Sequence, residues 1–137
     1  ERIGDYCKNL FEVGRYYEDD YSIERYHEPL EVVRKHTGEL FGAVREAFEK
    51  SSVKQAKSSI KAADRIRGKC DAIEETLLGD RLEVPTHVAV AYSLLARHYK
   101  RVASHLANIA TSVFGRIEDL DFRKPKKAAA DSEHKAK

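Results

Sequence analysis

Residues Arg97–Phe114 read RHYKRVASHLANIATSVF, and their apolar side chains recur at steps of three and four. This spacing is the period of an α-helix with one buried face. The period extends beyond both ends of the stretch, so we predict a long helix that opens at Val84–Pro85 and ends around Glu118. Its predicted core line consists of Tyr92, Leu95, Tyr99, Val102, Leu106, Ile109, Val113 and Ile117.

The opposite side of this helix is polar. It carries Arg97, Lys100, Arg101, Ser104, Asn108 and Thr111, and no Asp or Glu occurs between Glu83 and Glu118. The cations therefore have no carboxylate on their own helix and are free to meet an anion elsewhere. Two interpretations remain open, a solvated basic face and a face that binds an anion or a partner protein. The candidate contacts for binding are Arg97, Lys100, Arg101 and Asn108.

The chain opens with a diverged copy of part of this helix. Residues 1–10, ERIGDYCKNL, align without gaps on residues 100–109, KRVASHLANI. The Arg and Asn positions are identical, and the apolar positions are conservatively replaced. Gly4 and Ala103 are both small, which indicates a close approach of a neighbouring helix. In each copy the polar side chains follow one line of the helix.

This polar line, of the form Glu-Arg-Ile-x-Asp-His-x-x-Asn-Ile, resembles the end of the third helix in the three-helix unit of the PhoU family of phosphate-uptake regulators, where the unit occurs twice per chain. The first copy matches at Glu1, Arg2, Ile3, Asp5, Asn9 and Leu10, and the second at Arg101, Val102, His105, Asn108 and Ile109. The resemblance covers residues 1–10 as the tail of a first repeat and about 28–117 as a second repeat. Two departures stand out, Lys100 in place of Glu and Ser104 in place of Asp.

The composition fits one helical domain with a heavily charged surface. The chain has 137 residues, of which 35% are charged and 42% hydrophobic. It has no apolar run near the roughly 18 residues of a membrane helix and no signal peptide, so we expect a cytoplasmic protein. It has no Met and opens inside a helical motif, so we expect a fragment of a longer protein. Cys7 and Cys70 are predicted to be small core residues.

We predict an all-α fold, an antiparallel helical bundle formed by a PhoU-like three-helix repeat plus one preceding helix. Residues 1–21 would end a preceding repeat, 22–122 would form the PhoU-like repeat, and 123–137 would be a disordered basic tail.

Ser51–Ser52 supplies a turn and a helix N-cap. Gly38 and Gly42 allow either a close helix approach or a weakened helix. Removing the tail's net charge of +4 from the total of +2 leaves −2 for the rest of the chain, so nucleic acid is an unlikely partner of the folded part.

Two carboxylates of the first copy are candidate metal ligands. Glu1 and Asp5 lie one helical turn apart, a spacing that lets them share a divalent ion. The resemblance implies a multinuclear site of Fe, Zn, Mn or Mg, completed by carboxylates of the adjoining helix. The corresponding candidates in the second repeat are His105, Asp64 and Asp71. The alternative interpretation is ordinary surface charge, and no cofactor is certain.

The function that the resemblance implies is regulation. No nucleophile constellation, glycine-rich phosphate loop or paired Cys motif is present, so we expect no catalysis. His98 and His105 are two turns apart and are predicted to lie at the edge of the core. The resemblance implies control of phosphate uptake by contact with a phosphate transporter and a sensor kinase. Lys100 and Ser104 suggest that this repeat has exchanged metal binding for anion or protein binding. The alternatives are a metal-binding module, a nucleic-acid contact by the tail, and a homodimer.

Overall fold

The described part of the chain is helical. The computed structural model describes residues 2–15, 24–79 and 84–115, and these ranges contain no β-strand. Glu1 and the predicted tail, 123–137, lie outside the described residues. The four helices are α1 (Arg2–Arg15), α2 (Glu24–Glu49), α3 (Val53–Gly79) and α4 (Thr86–Ser112). The prediction of an all-α bundle is confirmed. Among these helices, none combines the length and the apolar character that a membrane crossing requires.

Helices α2, α3 and α4 pack against one another, whereas α1 packs against α4 alone among the described helices. The start of α2 and the end of α3 line one cleft, so these two helices are antiparallel. Lys100 of α4 forms an ion pair with Asp71 of α3. The rings of Tyr26 and Tyr92, near the starts of α2 and α4, lie 5.4 Å apart. The result is a three-helix bundle with a fourth helix on the outer side of α4.

The turn between α2 and α3 follows from two serines. Ser51 has a φ of 47°, in the left-handed region, which reverses the chain after α2. The Ser52 hydroxyl accepts a hydrogen bond of 3.3 Å from the backbone N–H of Gln55, in the third position of α3. This is the geometry of an N-cap. The predicted turn and cap are confirmed.

The buried face of α4 differs from the predicted core line. Ile109 is 41% exposed, and Thr111, predicted to be polar surface, is only 4% exposed. The difference arises because α4 is surrounded by three helices and so buries more than one stripe. The small residues at its closest contacts are fully buried, namely Ala96, Ala103, Ala107 and Ala110. The hydroxyl of Thr111 is satisfied, since it donates to the carbonyl oxygen of Ala107 at 2.9 Å.

Two other local predictions are wrong. Helix α4 ends at Ser112 rather than near Glu118, and a turn follows in which Gly115 has a φ of 67°. A left-handed glycine is a common helix terminator, because it lacks the Cβ that would clash. Cys70 is fully buried, as predicted, but Cys7 is exposed. Burial raises the pKa of the Cys70 thiol to about 12.

The small residues that the sequence singled out for close helix contacts differ in their burial. Ala103 is fully buried, as a close helix approach requires. Gly4, Gly38 and Gly42 are exposed, and a Cβ added at any of them would meet no atom within 4 Å. The interpretation of Gly38 and Gly42 as a close-approach site is therefore wrong for the described chain, and their effect is to weaken α2.

This contrast predicts opposite responses to added side-chain atoms. Gly42→Ala should raise the free energy of unfolding by about 0.4–1 kcal/mol, because alanine restricts the unfolded chain and finds open space in the folded one. Ala103→Leu should lower it by about 1–3 kcal/mol, because the site is already filled. Urea unfolding followed by circular dichroism measures both. A stable Ala103→Leu variant would contradict the close packing of α4.

Candidate functional site

The seam between α1 and α4 brings together the two copies of the repeated motif. Ile3 of α1 shares a groove with Leu106 and Ile109 near the end of α4. The Tyr6 ring stacks on His105 at 5.6 Å and lies 6.1 Å from His98, one centroid to the other. The start of α1 thus lies beside the end of α4, and the two helices are antiparallel. Tyr6 and His105 are equivalent positions in the gapless alignment, so equivalent residues meet at the centre of the seam.

The antiparallel packing places both polar lines on one surface. Arg2 and Tyr6 are four residues apart, and Asn9 follows on the same side of α1. Arg97, Arg101 and Asn108 recur at near-whole turns of α4, with His105 beside them. We call this surface the α1–α4 seam, and it consists of Arg2, Tyr6, Asn9, Arg97, Arg101, His105 and Asn108.

The charge of the seam is positive, because its three arginines outnumber the one described carboxylate in the polar line of α1, that of Asp5. Arg2, Arg97 and Arg101 are exposed, and none of the three forms an ion pair with another described residue. Arg2 and Arg101 both lie close enough to His105 to act on its charge state. Unpaired guanidinium groups from two helices form a surface suited to carboxylate or phosphate groups.

The two histidines beside Tyr6, His98 and His105, both have a lowered pKa, which favours the neutral ring. Burial is the main cause that lowers the pKa of His105, and the charges of Arg2 and Arg101 lower it further. Burial also lowers the pKa of His98, and the charge of Arg97 adds to this. The Nδ1 atom of His98 is buried and has no hydrogen-bond partner. Both rings pack against Tyr6 at the edge of the core, as the sequence predicts.

Lys100 occupies a different position from the other candidate cations. It lies on the flank of α4 that faces α3, where it pairs with Asp71. Both side chains are partly exposed, so the pair contributes at most about 1 kcal/mol. Ser104, the other departure from the motif, donates a 2.8 Å hydrogen bond to the carbonyl oxygen of Lys100 on its own helix. Lys100 is thus paired with a carboxylate of the same chain, and while this ion pair is formed its charge is not available to a partner.

The structure does not bring the candidate metal ligands of the second repeat together. Asp5 is exposed on α1, and Glu1 lies outside the described residues. In the second repeat, Asp71 pairs with Lys100 and Asp64 pairs with Arg67. Within the described ranges, no group of three or more His, Cys, Asp or Glu side chains is placed to hold a metal ion. The proposed second-repeat ligands are therefore not brought together, whereas metal binding through Glu1 and Asp5 stays a prediction.

Sequence reasoning found Arg97, Arg101 and Asn108 but missed Arg2, Tyr6 and Asn9 as members of the same surface. The signal was present in the alignment of residues 1–10 with 100–109. What the alignment lacked was the relative direction of the two helices, which decides that the copies face one another.

Comparison with known families agrees with this architecture. A family model described as PhoU domain matches residues 30–113. The matched range begins in α2, includes α3 and ends just after α4, and α1 precedes it. No curated protein and no solved structure matches the chain.

The lowered pKa values of His98 and His105 predict loss of stability in acid. The unfolded chain binds these protons near the ordinary pKa of about 6.5. In the folded chain the pKa of both histidines is lower, so protonation favours the unfolded chain. The stability that the neutral histidines contribute is therefore fully present above the ordinary pKa and is lost as the pH falls below it. The urea midpoint should drop between about pH 7 and about pH 5, and it should drop less in His98→Gln/His105→Gln. An equal drop in both proteins would show that these histidines do not titrate with folding.

The metal prediction is tested by elemental analysis of the chain purified without chelator. A site that uses Asp5 should hold a stoichiometric divalent metal, and Asp5→Asn should remove it. Glu75→Gln is the control, because it removes one exposed carboxylate of α3 that is not a candidate ligand. Metal that survives Asp5→Asn would exclude this carboxylate as a ligand.

Proposed function

The chain belongs to the PhoU domain family, and from this membership we propose that it is a regulatory adaptor that acts by protein–protein contact through the α1–α4 seam. The family's role is regulation of phosphate uptake rather than catalysis. The partners that it suggests are a phosphate transporter and a sensor kinase. The cytoplasmic location expected from the sequence is part of this proposal.

The observation that carries the proposal is the unpaired positive charge of the seam. Exposed ion pairs neutralise several cations elsewhere, such as Arg34 with Glu31 and Arg45 with Glu49. Arg97 and Arg101 form no such pair with any described residue, and α4 itself contains no carboxylate. Positive charge without an internal partner favours the encounter with an acidic surface and sets its orientation.

The packing of α4 in the bundle also supports the proposal of a contact through the seam. Residues that flank the arginines in sequence, such as Ala96 and Val102, are buried in the bundle core. The guanidinium groups of Arg97 and Arg101 are therefore carried by a helix whose other sides are fixed by packing. A preorganised helix lowers the entropy cost of binding compared with a loop.

The test is binding of the phosphate transporter and the sensor kinase from the same genome, measured by surface plasmon resonance. Arg97→Ala/Arg101→Ala should weaken binding at least about tenfold, which is about 1.4 kcal/mol, and should reduce its dependence on salt. The matched control is Lys54→Ala/Lys57→Ala, which removes two exposed cations from α3. Equal affinity of the Arg97→Ala/Arg101→Ala variant and the native chain would reject the seam as the contact surface.

A titration with inorganic phosphate distinguishes a small anion from a protein partner. Calorimetric binding of phosphate that disappears in Arg97→Ala/Arg101→Ala would identify phosphate as a ligand of the seam. Absence of heat with phosphate, together with retained partner binding, would leave the protein contact as its role.

A further inference from the structure

An open groove runs along the outer side of the three-helix bundle, between α2 and α3. It consists of two hollows, one of about 390 Å³ and one of about 240 Å³. The larger hollow lies between residues 25–32 of α2 and 69–76 of α3, and the smaller lies between 36–43 and 62–66. We call the two together the α2–α3 groove. Along α2 it extends over roughly 27 Å, or about five helical turns.

The α2–α3 groove lies on the opposite side of α2 from α1. Phe41 and Phe48 mark the side of α2 that faces α1, since they share a hollow with Ile3. Val32 and Ala43 of the groove lie roughly half a turn around α2 from these two rings. Only residues of α2 and α3 line the two hollows. The open groove therefore follows from the packing of α2, α3 and α4, and α1 takes no part in it.

The floor of the groove is apolar and formed by small side chains. Val32 is 38% exposed, and Ala43 and Ala72 are exposed as well. The larger side chains of Ile66 and Ile73 lie beneath them and are buried in the core. This surface is concave and apolar, and the ridge of side chains along another helix packs into such a groove.

The two edges of the groove carry opposite charges. Arg65 and Lys69 are exposed on the α3 edge. Glu28 and Glu39 are exposed on the α2 edge, and Arg25 lies beyond Glu28 at its end. Each hollow thus has a carboxylate on one edge and a cation on the other, yet none of these four side chains forms an ion pair with another described residue. Both edges are therefore available to a molecule that lies between them.

We propose that the α2–α3 groove binds an amphipathic helix of a partner protein. The apolar stripe of this helix packs on the floor of the groove. Acidic residues along one flank pair with Arg65 and Lys69, and basic residues along the other flank pair with Glu28 and Glu39. This is the helix-in-groove mode of recognition. The bound helix completes a four-helix bundle with α2, α3 and α4.

The spacing of the hollows defines the apolar stripe more closely. Their centres are about 15 Å apart along α2, which is about three helical turns. The two largest apolar side chains of the partner helix should therefore stand roughly ten residues apart, with smaller side chains between them.

A partner helix fits the α2–α3 groove better than the same groove of a second copy does. Two copies that met groove to groove would leave the hollows unfilled, because each presents the same concave surface, and the atoms around the hollows would lose contacts. A single helix presents a ridge instead, and its two flanks reach both charged edges at once.

This inference does not depend on the proposed adaptor role of the α1–α4 seam. The groove is formed by α2 and α3, whereas the seam is formed by α1 and α4. Substitutions at Arg65 and Lys69 therefore test the groove, and those at Arg97 and Arg101 test the seam.

A synthetic helical peptide tests the groove directly. It has about 20 residues, enough to span the groove, with Leu along one stripe, Glu along one flank and Lys along the other. The peptide carries fluorescein at about 20 nM, and its anisotropy is followed while the full chain is added to about 200 µM. We expect saturable binding that Arg65→Glu/Lys69→Glu weakens at least about tenfold. The matched control, Lys54→Glu/Lys57→Glu, reverses two exposed cations of α3 outside the hollows and should bind as the native chain does.

Exchange of charges provides a test that misfolding cannot imitate. Arg65→Glu/Lys69→Glu makes both edges of the groove acidic. A peptide with Lys on both flanks should therefore bind this variant at least about tenfold more tightly than it binds the native chain. Glu28→Lys/Glu39→Lys makes both edges basic and should prefer a peptide with Glu on both flanks. Ala72→Phe, which fills part of the larger hollow, should weaken binding of the original peptide.

Absence of saturable binding up to about 200 µM would overturn the inference. Equal affinity of the original peptide for the native chain and for Arg65→Glu/Lys69→Glu would overturn it as well. Light scattering gives a third decisive result: a doubled native mass that Arg65→Glu/Lys69→Glu returns to 15.6 kDa would mean that a second copy, and not a partner helix, covers the groove.

Discussion

The close packing around α4 governs how the other three described helices are arranged. Ala96, Ala103, Ala107 and Ala110 occupy positions where a larger residue would push neighbouring helices apart. Because these side chains are short, α2 and α3 can both reach α4 while α1 occupies a third side. The large core residues are supplied mainly by the neighbours, for example Leu40 of α2 and Ile66 of α3. Dispersion contacts along this crowded helix hold the bundle together.

The direction of α1 relative to α4 determines how the two copies of the repeated motif are placed against each other. Two antiparallel copies of one sequence pattern meet at equivalent positions, so Tyr6 stacks on His105 and Arg2 approaches the region of Arg101. Two short polar lines, each unremarkable on its own helix, become one continuous surface. His98 and His105 pack beside Tyr6, and burial opposes their protonation.

The two departures from the family pattern, Lys100 and Ser104, both change the charge of α4. Lys100 replaces an acidic residue and is neutralised by Asp71 of α3, while Ser104 bonds to its own backbone. Neither residue leaves a carboxylate on the exposed side of α4. The arginines of the seam therefore lack the internal partners that an acidic residue would have supplied. A surface of this kind attracts anionic groups, because its local positive charge is present whatever the net charge of the folded chain.

The amino-acid sequence is enough to predict the four helices, the capped turn at Ser51–Ser52 and the family, because apolar period and capping are local properties of the chain. It also identified Arg97, Arg101 and Asn108 from their spacing on one helix. The packing of the helices, which the sequence pattern did not reveal, determined that Thr111 is buried, that Ile109 is exposed and that Lys100 is paired. It also decided that Arg2 joins the same surface as Arg101. The physical reason is that these outcomes depend on how many helices surround α4 and in which direction α1 runs, and a local period carries information about neither.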